Sequence, residues 1–293
     1  MINGDKKIEA EKTGTLYVVS TPIGNLEDIT LRAIKTLKDV NLIAAENTTH
    51  TKRLCSHYEI GTRLTSYNQH NHKTVGPVLI ERLKRGEDIA IVTCAGTPGI
   101  SDPGALLIKM ACENGICVTP IPGACAAIAA LSVCGLKMDN FLFAGFLSNK
   151  SGKRKKELQE LASEKRTIIF YEAPHRIIQF LEQLHEVFGN RDITVTRELT
   201  KLHEEVVRGH VKEILSILSQ REPRGEYVII TEGMEKPQEE ETMPEQLEEA
   251  IKKMLMEDMS IKDIADSVSK IHNIRFRSAY REVLDLKRKM EGA

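Results

Sequence analysis

Apolar residues along this chain switch repeatedly between two spacings. Short runs rich in β-branched residues, at Leu16–Ser20, Leu42–Ala45, Ile89–Thr93 and Ile116–Thr119, predict strands. Between them, apolar residues three and four apart predict helices over Ile29–Leu37, Val75–Leu83, Ala105–Cys112 and Ala124–Val133. The last of these is built of small residues suited to close packing. Such alternation favours an α/β domain with a largely parallel sheet. The pattern then resumes. Phe141–Phe146 and Thr167–Tyr171 are strand-like, and Pro174 is placed to open a helix running to about Phe188. A strand at Ile193–Thr196, a helix at Val211–Leu218 and a strand at Tyr227–Thr231 complete a second unit. The expected division is an N-terminal α/β domain over 14–137 and a C-terminal α/β domain over 138–233.

Composition changes after that. Met234–Ala250 holds seven Glu, one Lys and two Pro, which marks an acidic linker over 234–250, ending where a helix starts. The remainder, 251–293, is expected to be a helical tail broken at His272–Asn273, with Ser260 and Asp263 spaced as a capping box. The whole chain of 293 residues has 41 Lys and Arg against 42 Asp and Glu, a net charge of −1. That average does not exclude a nucleic-acid partner, because acidic and basic segments are separate. Lys150, Lys153, Arg154, Lys155 and Lys156 place five cations in seven residues. This run suits a phosphate backbone or a solvated face, and the adjacent Ser151–Gly152 suggests a mobile loop. Aromatics are 4% of the chain and Trp is absent, so base-stacking platforms are not expected to be abundant.

The six cysteines are dispersed, without zinc spacing, and the histidines form no metal pattern, so no metal is expected. Met1–Lys12 is polar and charged, unlike a signal peptide. The longest uncharged run, Asn114–Leu136, is interrupted by Pro and Gly and predicts strand, turn and buried helix rather than a membrane span. A cytoplasmic location is the expectation.

Candidate chemistry lies at strand ends. Ser20–Asp28 follows the first strand with a glycine-containing polar loop, the usual ligand position in α/β folds, although a plain connecting turn has the same appearance. Cys94–Gly104 follows a buried strand with three glycines and two prolines, letting backbone approach a ligand closely. It is neither a dinucleotide fingerprint nor a P-loop. Pro120–Ala127 brings small residues to a helix start. In the second unit, Tyr171–Arg176, Arg197–Lys201 and Arg224–Glu226 mix Glu, Arg, Lys and His at strand edges. These suit acid–base chemistry or phosphate contact, and each singly suits a surface ion pair.

The segments Thr15–Thr30, Ala95–Gly104, Phe170–Arg176 and Arg197–Lys201, in this order, carry a resemblance. Over about Gly14–Gly233 the chain resembles the tetrapyrrole methylase-like family of S-adenosylmethionine enzymes, in the branch that methylates a cytidine ribose 2′-oxygen in 16S rRNA. The resemblance implies two α/β lobes with S-adenosylmethionine in the cleft between them, in a homodimer, plus the small C-terminal helical tail. It implies cofactor contacts from Pro22, Ala95, Gly96, Thr97, Ile100, Cys125 and Ala126. Its target would be a decoding-centre cytidine of the small ribosomal subunit. A ribose hydroxyl is a poor nucleophile, so a general base is expected. Glu172, Glu198 and Glu226 are candidates, with His175 a weaker one. Lys153, Arg154, Lys155, Arg176, Arg197 and Lys201 are candidates for holding RNA phosphates. The chain departs from the family pattern by having Cys94 for Asp, and Ala45-Glu46-Asn47-Thr48-Thr49 for Ala-Glu-Asp-Thr-Arg. A tetrapyrrole or other small-molecule methyltransferase and a non-catalytic RNA-binding assembly factor are the competing expectations.

Overall fold

A computed structural model describes residues 13–102, 104–234, 245–257, 259–272 and 276–291. The first lobe alternates strand and helix: β1 (Thr15–Val19), α1 (Leu31–Asp39), β2 (Leu42–Ala45), α2 (Thr48–His57), β3 (Leu64–Ser66), α3 (His72–Lys84), β4 (Ile89–Val92), α4 (Gly104–Glu113), β5 (Cys117–Ile121) and α5 (Ala126–Val133). Its sheet is wholly parallel, in the order β3-β2-β4-β1-β5. Central strands β2 and β4 are buried at every residue, as a sheet covered on both faces requires. Successive side chains point to opposite faces. Leu42 and Ala44 therefore join Leu79, Leu83 and Leu107 on one side, while Ile43 and Ala45 join Ala33, Leu37 and Leu54 on the other. The run at 114–136 forms β5 and α5, and among the described residues no helix is long and apolar enough to cross a membrane.

The second lobe contains β6 (Phe141–Phe146), α6 (Ser151–Leu161), β7 (Thr167–Glu172), α7 (Ile177–Phe188), β8 (Asp192–Arg197), β9 (Glu205–His210), α8 (Val211–Ser219) and β10 (Tyr227–Thr231). Its sheet, β6-β7-β10-β8-β9, is mixed: only β6 and β7 are parallel. Helices α6, α7 and α8 cover one face, through Leu158, Phe180, Leu184 and Ile214. The other face is covered by α5, whose Ala127, Ala130 and Leu131 lie on Ile169, Val228 and Ile230. A helix from the first half of the chain thus closes the core of the second. Its small side chains permit that approach.

The cation run does not form a mobile loop. Lys150 is the N-cap and the other four cations lie in α6, with Arg154 and Leu158, one turn apart, buried on one face. Ser151 and Gly152 occupy the first turn, where they do not break the helix.

The C-terminal unit consists of α9 (Glu245–Met256), α10 (Ile261–His272) and α11 (Phe276–Glu291) around Ile251, Ile264, Val268, Ala279 and Val283. The helices begin at Glu245 rather than at 251. Ser260 accepts the Asp263 backbone N–H at 3.2 Å, as its spacing suggested. Most of the acidic stretch, 235–244, lies outside the described residues, as does Met1–Lys12.

Candidate active site

The loops leaving β1, β2 and β4 meet the β7 and β10 ends of the second sheet around a cavity of about 510 Å³. The loop after β4 forms one wall, with Thr93, Cys94, Ala95, Gly96, Thr97, Ile100, Ser101 and Asp102. It is held in place by its own chemistry. Gly96 exchanges two backbone hydrogen bonds with Thr21, at 2.9 and 3.0 Å, and takes a φ of +78° that a side chain would oppose. Thr97 Oγ1 donates to the Ala124 carbonyl at 3.1 Å, within hydrogen-bond reach of Ser20 Oγ at 2.9 Å. Asp102 Oδ1 accepts the N–H groups of Gly99 and Gly104, at 2.8 and 2.9 Å. Cys125, Ala126, Phe146, Tyr171, Leu199 and Tyr227 supply much of the remaining wall. The Ala127 N–H donates to Tyr171 Oη at 3.0 Å. Burial, with a smaller effect of Cys125, holds that phenol protonated well above its ordinary range.

The cavity is acidic. Glu46, Asp102, Glu172 and Glu226 all line it. Cys94 also lines it, and its N–H donates to Glu46 Oε2 at 3.0 Å. Burial first, then Glu46, Asp102 and Glu226, push its thiol up to about 11, so it is neutral at pH 7. Burial also raises the Asp102 carboxyl, with Glu46 adding to the effect, although two glycine N–H groups oppose it.

The three glutamates expected as bases have different surroundings. Glu172 is buried with Arg176: Oε2 accepts Nη2 at 2.8 Å, Oε1 lies 2.7 Å from Nε, and Oε1 also accepts the Ala173 N–H at 2.7 Å. Both of its oxygens are thus held by partners within the fold, Oε2 by the guanidinium and Oε1 by the Ala173 backbone. Glu198 does not line the cavity. Its Oε1 accepts Lys201 Nζ at 2.9 Å and the Glu226 N–H at 3.0 Å. Burial would raise its carboxyl, but these donors outweigh it and hold the pKa below the usual carboxylate range. The depressed value stabilises the fold at neutral pH, a contribution lost as pH falls through it. Glu226 has a side chain 76% exposed and touches Lys201 Nζ at 2.8 Å on one oxygen, leaving it open to the cavity. His175 is exposed and outside the lining.

Of the expected cofactor contacts, Ala95, Gly96, Thr97, Ile100, Cys125 and Ala126 line the cavity. Pro22 does not; its neighbour Ile23 does. The expected RNA contacts fare differently. Arg154 is 1% exposed and donates to Gln183 and Gln179 Oε1, at 2.6 and 2.8 Å. Arg176 is buried on Glu172, Leu147 O and Asn149 Oδ1. Lys201 sits between two carboxylates. Lys155 pairs with Glu186, and Lys153 lies 3.6 Å from Glu157. Arg197 donates to the Arg224 carbonyl at 2.7 Å and lies 3.6 Å from Glu205. Cationic sequence does not distinguish a buried guanidinium from a free one. Glu46 went unassigned, although it directly follows a buried strand on the ligand-bearing edge. Asp102 and Tyr171 stood inside motifs without a role.

The two lobes also touch at the cavity's edge. The Asn25 N–H donates to Thr200 Oγ1 at 3.0 Å, and a Cβ on Gly24 would come within 2.4 Å of Lys201 Cγ. Asn47 has a local role: its Oδ1 accepts the His50 N–H at 3.0 Å and caps α2. Asp caps helices equally well. Asn47→Asp is therefore expected to leave thermal stability unchanged, whereas Asn47→Ala should cost about 1 kcal/mol in denaturant unfolding. A neutral Asn47→Ala would show the cap to be dispensable.

The sequence pattern of Tetrapyrrole (Corrin/Porphyrin) Methylases matches residues 15–215. The ribosomal RNA small subunit methyltransferase I of Bacillus subtilis is 50% identical over 220 residues, 75% of this chain and 75% of that protein. The protein of the same name from Synechocystis is 42% identical over 274 residues, 93% of this chain and 98% of that protein. A crystal structure of uroporphyrin-III-C-methyltransferase from Thermus thermophilus shares the fold at a TM-score of 0.54 and 20% identity, covering 74% of this chain and 94% of that one.

Proposed function

The chain belongs to the tetrapyrrole methylase family, among the ribosomal RNA small subunit methyltransferases I, and from this we propose that it methylates the ribose 2′-oxygen of a decoding-centre cytidine in 16S rRNA. We assign S-adenosylmethionine as methyl donor and a homodimer as the working form. Methyltransferases of this family generally use that donor. The observation that carries the reading is the acidic cavity at the parallel sheet's C-terminal edge. Its lining carboxylates Glu46, Asp102 and Glu226 suit a donor bearing positive charge on sulfur and nitrogen. Apolar Ile23, Ile100 and Leu199 suit a flat aromatic base, and the backbone of Cys94–Thr97 can hold polar groups. When bound, the donor supplies an electrophilic methyl group on a sulfonium.

The protein's own contribution is alignment and removal of a proton. Glu46 and Asp102 hold cationic charge in the cavity. Glu226 accepts the ribose hydroxyl proton on its open oxygen, while Lys201, braced by Glu198, fixes the other. Glu172 and Arg176 shape the wall at Ala173 and Pro174 without exchanging protons.

The test is nucleotide-resolution methylation mapping of rRNA from small subunits incubated with the purified protein and labelled S-adenosylmethionine. One new 2′-O-methylcytidine is expected. Transfer to a corrin precursor and to no RNA would overturn the reading, as would cofactor binding without any transfer.

A further inference from the structure

An acidic cavity repels phosphate, and the cations first expected to meet RNA are buried or paired with carboxylates. A different surface has the required charge. Residues 47–80 contain one acid, Glu59, against Lys52, Arg53, Arg63, Lys73 and four histidines. Arg63 precedes β3 and sits at the far edge of the sheet. Lys52 and Arg53 are exposed on α2, and Lys73 is exposed in the first turn of α3. None of the three is within ion-pair distance of a carboxylate among the described residues. Exposed His50 and His70 accompany them.

Topology places this group beside the cavity. Ser66 of β3 pairs with Ala45 of β2, which pairs with Val92 of β4. The residues that follow, Tyr67, Glu46 and Thr93, leave the sheet side by side. Glu46 and Thr93 line the cavity, and α2 begins two residues after Glu46. Strands lie about 4.8 Å apart, so the loop after β3 stands about 10 Å from the cofactor loop after β4. That loop is ordered in advance: Asn71 Oδ1 accepts the Asn68 N–H at 2.8 Å, and Asn71 Nδ2 donates to Ser66 O at 3.0 Å.

We propose that α2 and the first turn of α3, through Lys52, Arg53 and Lys73, bind the sugar–phosphate backbone of the RNA whose ribose enters the cavity. The proposal rests on the RNA methyltransferase reading above. Phosphates outside the cavity and a neutral ribose within it satisfy both fields at once.

The experiment compares the full-length protein with K52A/R53A/K73A and with the charge-keeping K52R/R53K/K73R. Affinity for naked 16S rRNA is measured across a salt series, with methyl transfer and S-adenosylmethionine calorimetry alongside. Each lost contact to single-stranded phosphate should flatten the log–log salt slope by about 0.7, so the alanine variant should lose about 2 in slope and about 10- to 100-fold in affinity near 0.15 M salt. KM for RNA should rise by a similar factor, with kcat at saturating RNA and cofactor binding retained. The charge-keeping variant should restore the slope. K153A/K155A/K156A on α6 should change the slope by less than half as much.

A K52A/R53A/K73A slope equal to that of the parent protein would overturn the assignment while the methyltransferase reading stands. Loss of activity on assembled subunits alone, with an unchanged slope on naked rRNA, would make the partner a ribosomal protein and also overturn it. If the parent protein neither binds nor methylates rRNA, the reading beneath the proposal fails with it.

Discussion

Glu226→Gln is expected to lower kcat for the ribose methylation proposed above by about 10²- to 10⁴-fold, the contribution of a positioned general base. Of the three strand-edge glutamates, Glu226 combines a place in the cavity wall with an unclaimed oxygen. Gln keeps the shape and can still meet Lys201 through its carbonyl oxygen. Cofactor affinity by calorimetry and the denaturation midpoint should therefore change little, which separates a lost proton acceptor from a damaged site. Glu198→Gln should act indirectly, by loosening Lys201, with a smaller loss of rate. A Glu226→Gln enzyme with kcat within threefold of the parent would mean that solvent takes the proton and that Glu226 is only part of the rim.

The second large effect is on stability. Glu172→Ala is expected to cost about 3–5 kcal/mol, the range for breaking one side of a buried ion pair. The Glu172 side chain is fully buried and Arg176 is nearly so. The cost is high because the loss falls on two cations. Arg154 is also buried, held by neutral glutamine oxygens, and Glu172 is the carboxylate that favours its charged form. Burial, the larger effect, lowers the Arg154 pKa, and Arg176 lowers it further. Removing Glu172 leaves two guanidinium groups buried without a counter-charge. Replacing both partners, as Glu172→Leu with Arg176→Met, should recover part of the loss. Urea unfolding measures both. A single-variant cost below about 1 kcal/mol would show that water reaches these groups and that the pair is not structurally important.

The sequence carried the order of elements wherever burial was two-sided or periodic. β2 and β4 are uniformly apolar because both faces are covered, and α7 shows its buried stripe at Ile177, Phe180, Leu181 and Leu184. Elements with thinner cores were not legible. β3 is three half-buried residues, β9 is a charged edge strand, and α2 buries only Thr51, Leu54 and Cys55. The glycine loop after β4 was readable because tight backbone demands particular residues. The role of each charge was not. Arg154 and Lys153 are neighbours in one run, but helical geometry turns one into the core and leaves the other in water. The same limit applied to Glu172, Glu198 and Glu226, whose differences lie in partners 1 to 28 residues away.

Helix α5 bears on whether the halves could ever have separate lives. Its first residues belong to the cavity, and its body is the lid of the other lobe's core. A cut at 137/138, where sequence places the boundary, would strip Ile169, Val228 and Ile230 of their cover and leave the severed helix with an apolar face toward water. Neither fragment would be a self-sufficient module. Shuffling one lobe onto another partner would require carrying α5 across the join, so the heritable unit here is the pair of lobes.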